Sequence, residues 1–167
     1  MPKYAMDQKL SGIFEHRVLT PDSALVRGFN DRFGVPVSRY TETRRADIDA
    51  VPGLVVLAES DAAGLCLIED RNLGNVYMFN HLEYDTDTLA DEYHRDIKAG
   101  RGDVHVPDNY FPGDDPATAP LNSWRGHGHL LYANWINAVY QKTPADIAAI
   151  GSEAATPEAA RRKSATA

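Results

Sequence analysis

An α/β fold built on a mixed sheet is what the sequence predicts, and three observations predict it. Leu54-Val-Val-Leu-Ala58 is an unbroken apolar run of the length of a buried strand. Leu65–Glu69 and Asn75–Asn80 are strand-like and flank Arg71-Asn72-Leu73-Gly74, whose Asn and Gly tolerate positive φ and favour a hairpin turn. Beyond them the period changes: Leu89, Tyr93 and Ile97 recur every four residues, along one side of a helix.

The remaining elements follow in order. Gly12 to Leu19 is rich in strand formers and stopped by Thr20-Pro21, so it reads as a strand, with a turn or short helix after it. Val35 to Thr41 is extended but contains Pro36, and a residue without an N–H suits an edge strand or a loop. Arg44 to Val51 forms a short helix before Pro52-Gly53. Gly100 closes the helix that carries Leu89. Arg101 to Ser123, with four prolines, is too long for a tight connection and reads as an ordered surface loop. Trp124 to Gln141 is a second long helix, with Leu131, Trp135 and Ala138 expected inward. Past Ile150 large apolar groups nearly vanish and alanine dominates, so residues 151–167 are expected to be a disordered tail.

Bulk properties bound the function. At 167 residues and 43% hydrophobic content the chain has enough apolar material for one core. A formal charge of −7 leaves no basic stripe for phosphates or an anionic bilayer, which argues against nucleic-acid and membrane partners. Met1 to Leu10 contains no signal-type apolar stretch, so a cytoplasmic location is expected. Cys66, the single cysteine, lies in Leu65-Cys-Leu-Ile68 without the glycine-flanked turn that exposes a nucleophilic thiol, and reads as core. His127 and His129 sit two apart in a helix, where their rings diverge, so no metal site is expected.

The segment Val76-Tyr-Met-Phe-Asn-His-Leu-Glu-Tyr-Asp85 carries a candidate for chemistry. In extended chain, residues i and i+2 point to the same side, so His81 and Glu83 can share one pocket at a strand's end. A glutamate beside an imidazole fixes its tautomer and stabilises the imidazolium formed when the ring takes a proton. On spacing alone, His-x-Glu is a common chance pair and a satisfied structural histidine is the favoured reading.

The surrounding blocks add to this. The stretch from Lys3 to Leu19, Arg27-Gly-Phe, Ser38-Arg-Tyr, Leu57-Ala-Glu-Ser60, His81-x-Glu-Tyr-Asp85, Asn109-Tyr-Phe-Pro112 with Asp115-Pro116, and Trp124-Arg125 through Asn134-Trp135 together resemble the homoserine O-acyltransferase family in order and spacing. The resemblance runs from Lys3 to about Asp146 and covers only the C-terminal half of that family.

It implies that residues 1–150 form the C-terminal part of a flavodoxin-like, class I glutamine amidotransferase-like layered fold. It also implies a nucleophilic cysteine on a strand-to-helix elbow in the preceding half, with Met1 just past that elbow. The implied activity is transfer of succinyl or acetyl from CoA to that cysteine and on to the hydroxyl of L-homoserine, in methionine biosynthesis. His81 would match the general base and Glu83 its orienting carboxylate, while Lys9, Ser38 and Arg95 fall where the family contacts substrate. Acyl-CoA enters as co-substrate, with no bound cofactor. Read without the family, Lys9 is a solvated lysine, Arg95 pairs with Asp91 one turn earlier, and Ser38 satisfies a turn.

The partners implied are L-homoserine, acyl-CoA and a separate chain carrying the cysteine half. Half of a layered fold leaves sheet surface uncovered, so a homo-oligomer or self-association is also expected. Two positions depart from the family pattern: Asn80 stands where it has Gly, and Leu82 where it has Pro. A noncatalytic, ligand-binding remnant of the family is the alternative, because loss of a nucleophile costs of order 10³- to 10⁶-fold in rate.

Overall fold

In a computed structural model of the protein, which describes residues 1–144, the strand expected from Gly12 to Leu19 is the end of a longer one, β1 (Tyr4–Val18). Its first half is masked in the sequence because Asp7, Gln8 and Lys9 break the apolar pattern. The pairing with β2 (Arg32–Glu42) shows why they are there: the register shifts between Ala5↔Thr41 and Leu10↔Arg39. Such a bulge re-aims side chains, and here it turns Lys9 inward, where it is 8% exposed.

The sheet has the order β2-β1-β3-β4-β5, with β3 (Leu54–Ser60), β4 (Gly64–Asp70) and β5 (Val76–Met78). Its paired strands all run antiparallel, and among the described residues the parallel component is one isolated bridge, Gly12 to Asp108. β1 meets β3 only at Arg17 and Val18; ahead of that its free side takes the long loop. Ile13 N–H donates to the Asp108 carbonyl at 2.8 Å, and Asp108 N–H to that of Ser11 at 2.9 Å. A Cβ on Gly12 would lie 2.3 Å from the Asp108 oxygen, so only glycine lets the two backbones meet.

Pro36 sits on the edge strand β2, opposite Ile13. Ile13 turns both its N–H and its carbonyl toward the long loop, away from β2, so Pro36 faces no lost ladder bond. Its own carbonyl points off the edge and accepts from His81 N–H at 2.8 Å. The proline thus places the histidine segment against β2.

The helices are α1 (Arg45–Asp49), α2 (Thr88–Lys98) and α3 (Arg125–Lys142). Gly100 ends α2 as expected, with φ +70. The inward side of α2 is Leu89, Ala90 and Asp96, while Ile97 is half exposed, contrary to the four-residue series read from the sequence. Ile97 is displaced because its neighbour Asp96 takes the inward position. On α3, Leu131 is buried but Trp135 is 43% exposed, also contrary to expectation. Apolar residues Leu130, Tyr132, Trp135 and Ile136 surround that helix, so the sequence marks no single inward stripe.

The core joins Val35, Leu57 and Leu67 of the sheet to Leu89 of α2, Trp124 and Leu131, with Tyr110 and Phe111 of the long loop packed between. That loop is ordered: Tyr110 donates to the Thr86 carbonyl and accepts from Ala90 N–H. Two compact units are distinguished, Met1–Trp135 and Ile136–Ala167; the described part of the second is the C-terminal portion of α3. The expected tail, residues 151–167, lies outside the described residues. Among the described residues no helix is long and apolar enough to cross a membrane.

Candidate active site

His81 does not sit in extended chain. It opens a β-turn just past β5, in which Tyr84 N–H donates to the His81 carbonyl at 3.2 Å. The pocket expected of an extended chain is not how the two side chains meet; the turn brings the pair together instead. His81 Nδ1 lies 2.7 Å from Glu83 Oε1. A carboxylate acceptor requires the proton on Nδ1, which leaves the Nε2 lone pair as the proton acceptor. Among the described residues Nε2 has no hydrogen-bond partner. Burial alone would push the Glu83 carboxyl up, but the hydrogen bonds from His81 and from the Glu83 backbone N–H lead the effects that hold it below its usual range.

The turn is braced from beneath. Leu82 is buried, and the α3 backbone approaches so closely at Gly128 that a Cβ there would lie 2.6 Å from the Leu82 carbonyl oxygen. Trp124, fully buried, donates its Nε1–H to the Tyr84 carbonyl at 2.8 Å. On the side of β4, Asn80 is buried and its amide donates to His16 Nε2 at 2.9 Å and approaches the Leu65 carbonyl at 3.5 Å. Asn80, the departure from the family pattern, is therefore a tethered core residue.

Lys9, Ser38 and Arg95 come together around two acids on α2. Lys9 Nζ lies 3.1 Å from Asp96 Oδ2 and 3.3 Å from Glu92 Oε2, and Ser38 Oγ donates to the same Glu92 oxygen. Arg95 makes a two-pronged contact with Asp96 Oδ1, Nε at 3.0 Å and one terminal nitrogen at 2.9 Å. Its partner is thus Asp96 and not Asp91. Glu92 Oε1 accepts from the Tyr84 hydroxyl at 2.8 Å, and the Tyr84 ring stacks on His81 with centroids 4.2 Å apart.

For both acids burial would raise the carboxyl, yet each is held below its usual range. Hydrogen bonds from Ser38 and Tyr84 and the Lys9 charge outweigh burial at Glu92, and contacts from Arg95 and Lys9 do so at Asp96. Tyr84, Glu92 and Asp96 are the site residues that sequence reasoning missed. The i, i+4 spacing of Glu92 and Asp96 was the available signal, since it sets two carboxylates on one helix side near Leu89.

The expectation that Cys66 belongs to the core stands. Cys66 is buried in β4, and burial pushes its thiol up to about 12, outweighing the Asn80 hydrogen bond and the Arg39 charge. His127 packs against Phe29 and Phe33 while His129 is exposed, and no metal-binding cluster occurs among the described residues. A cleft of about 450 Å³ along β5, lined by Lys3, Arg39, Thr41, Thr43, Tyr77 and Phe79 among others, contains none of His81, Glu83, Lys9, Ser38 or Arg95. Convergent polar contacts define the site.

Comparison with known proteins gives a consistent picture. The family described as homoserine O-succinyltransferase matches residues 1–145. A protein of Rhizobium johnstonii named homoserine O-acetyltransferase is 50% identical over 153 residues, 92% of this chain and 50% of the relative. One of Ruegeria pomeroyi with the same name is 53% identical over 151 residues, 90% of this chain and 48% of the relative. The chain spans about half the length of the curated relatives it matches. Among solved structures, a glutamine amidotransferase of Thermotoga maritima aligns with a TM-score of 0.56 at 13% identity, covering 84% of this chain and 55% of that one. At that identity the likeness concerns the fold, which is glutamine amidotransferase-like.

Proposed function

The chain belongs to the homoserine O-succinyltransferase family, and from that premise we propose that it carries the acid–base and substrate-contact half of a homoserine O-acyltransferase. The 2.7 Å contact between His81 Nδ1 and Glu83 Oε1, with Nε2 left open, is the observation that carries this reading. Burial speaks against Cys66 as nucleophile, and in this reading the thiol belongs to a polypeptide that carries the family's cysteine half.

In this reading His81 Nε2 takes the proton of that thiol, and the thiolate attacks the acyl-CoA carbonyl. CoA departs with the proton returned by His81. The homoserine hydroxyl then gives its proton to His81 and attacks the thioester, and the thiol is restored as O-acylhomoserine leaves. Glu83 stabilises the imidazolium in each half-reaction.

The cluster beside the pair suits homoserine. Lys9 and Arg95 supply two positive charges, Glu92 and Asp96 two negative ones, and a zwitterionic amino acid presents both signs. The names of the relatives at 50–53% identity make acetyl the acyl group we propose. Acyl-CoA serves as co-substrate without a bound cofactor, and the setting is the cytoplasm. Self-association through uncovered sheet surface belongs to the same reading.

Reconstitution tests it. The purified chain, mixed with a polypeptide bearing the family's cysteine half, is supplied with acetyl-CoA or succinyl-CoA and L-homoserine. O-acylhomoserine is expected from the mixture and not from the chain alone. A normal rate from the chain alone, or binding of homoserine with no turnover in the mixture, overturns the proposal.

A further inference from the structure

Tyr84 touches both parts of the site. Its ring lies against the His81 imidazole at 4.2 Å with an interplanar angle of 16°, and its hydroxyl donates to Glu92 Oε1 at 2.8 Å. The opposite oxygen of Glu92 receives Ser38 and Lys9. Each of the four groups hangs from a different element: His81 from the turn after β5, Glu92 from α2, Ser38 from β2 and Lys9 from the β1 bulge.

Tyr84 itself is held firmly at its backbone. Its N–H closes the turn on the His81 carbonyl and its own carbonyl accepts from the buried Trp124 indole. A tyrosine pinned in this way can transmit position to whatever its ring and hydroxyl touch. An aromatic residue that merely filled the core would have no need to place its hydroxyl on a carboxylate that two other groups share.

We propose that Tyr84 is a positioning residue, whose ring fixes the plane of the His81 imidazole and whose hydroxyl fixes the Glu92 carboxylate that holds Lys9 and Ser38. The ring and the hydroxyl act on different partners, so the two roles separate by substitution. Tyr84→Phe keeps the stacking surface and removes the donor. Tyr84→Leu removes both. The functional consequence rests on the reading of His81 as the base, but the positional claim does not.

The test uses the full chain labelled for NMR at histidine and glutamate. In the parent chain a direct ring-to-ring Overhauser contact between Tyr84 and His81 is expected. Tyr84→Phe should leave the His81 ring-proton shifts and the Nδ1–H tautomer unchanged while the Glu92 carboxyl titration moves up, because a hydrogen bond to its charged form is lost. Tyr84→Leu should also move the His81 ring protons downfield, because the shielding of the stacked ring is lost. The proposal is overturned by absence of the ring contact in the parent chain. It is equally overturned by a Phe variant that disturbs His81 as much as Leu does, or by a Phe variant whose Glu92 titration does not move.

Should Tyr84→Leu fail to fold, the ring contact and the Phe variant decide the matter alone. In the reconstituted enzyme, Tyr84→Phe should raise KM for homoserine about tenfold, the worth of one hydrogen bond to a charged group, with a smaller change in kcat. Because the NMR readouts need no turnover, failure of acyl transfer would remove the functional reading and leave this result standing.

Discussion

Lys9 on the β1 bulge and Asp96 on α2 are 87 residues apart in sequence, yet their charged atoms meet at 3.1 Å with both side chains more than nine-tenths buried. A carboxylate that deep would be strongly unfavourable alone, and Arg95 occupies only its other oxygen.

Lys9→Met should therefore destabilise the fold by about 3 kcal/mol, since it strands Asp96 and loosens Glu92. Urea unfolding of the single variant and of Lys9→Met with Asp96→Leu checks this. The double variant should recover part of the loss, because the stranded charge is gone. Equal stability of parent and single variant would show that the pair is solvated.

Glu83→Gln keeps the size of the side chain and removes the charge that steadies the His81 imidazolium. In the reconstituted enzyme kcat should fall about 10²- to 10⁴-fold with little change in KM for homoserine. A rate within twofold of the parent would exclude Glu83 from the proton relay.

Stability should fall as pH drops from about 6.5 to about 4, and His16 is the reason. Its imidazole is 1% exposed, and burial, aided by the Arg39 charge and opposed by the Phe14 carbonyl, lowers it from 6.5 to about 4. Between those values the unfolded chain binds a proton that the folded chain does not, so unfolding is favoured as pH falls. The shift is worth about 3 kcal/mol once both values are passed. His16→Gln, which retains a donor and an acceptor without titrating, should flatten the pH dependence of the urea-derived stability over that window.

Gly128→Ala should cost about 1–3 kcal/mol, because a Cβ 2.6 Å from the Leu82 carbonyl forces α3 and the turn apart. Since that turn carries His81 and Glu83, kcat should fall with it. Gly126→Ala on the same helix, where no atom lies within 4 Å of an added Cβ, should be neutral or mildly stabilising by thermal unfolding.

Cys66 should resist thiol reagents in the folded chain and react only on unfolding, given its burial and a thiol pushed up to about 12. Cys66→Ala should leave activity of the reconstituted enzyme intact. Rapid labelling of the native chain would contradict the buried placement.

Local chemistry made the strands legible. Leu54–Ala58, the Asn72-Gly74 turn and the Pro36 edge strand were readable because period, φ preference and a missing N–H act within a few residues. The first half of β1 was not, since the bulge around Lys9 exists to serve Asp96 and Glu92 on a distant helix. For the same reason Ile97 and Trp135 were misplaced: which helix side faces inward depends on what waits there, and on α2 that is a lysine.

The sequence by itself determined the family, the glutamine amidotransferase-like fold class, and the pairing of His81 with Glu83, because motif blocks and short-range spacing are properties of the chain. Only the tertiary structure decided that this pair stands in a turn, that Tyr84 joins it to Glu92, and that Lys9, Ser38 and Arg95 share two acids. Hydrogen bonds between residues tens of positions apart depend on how strands and helices pack, and no local pattern records which of many polar groups will be brought together when they do.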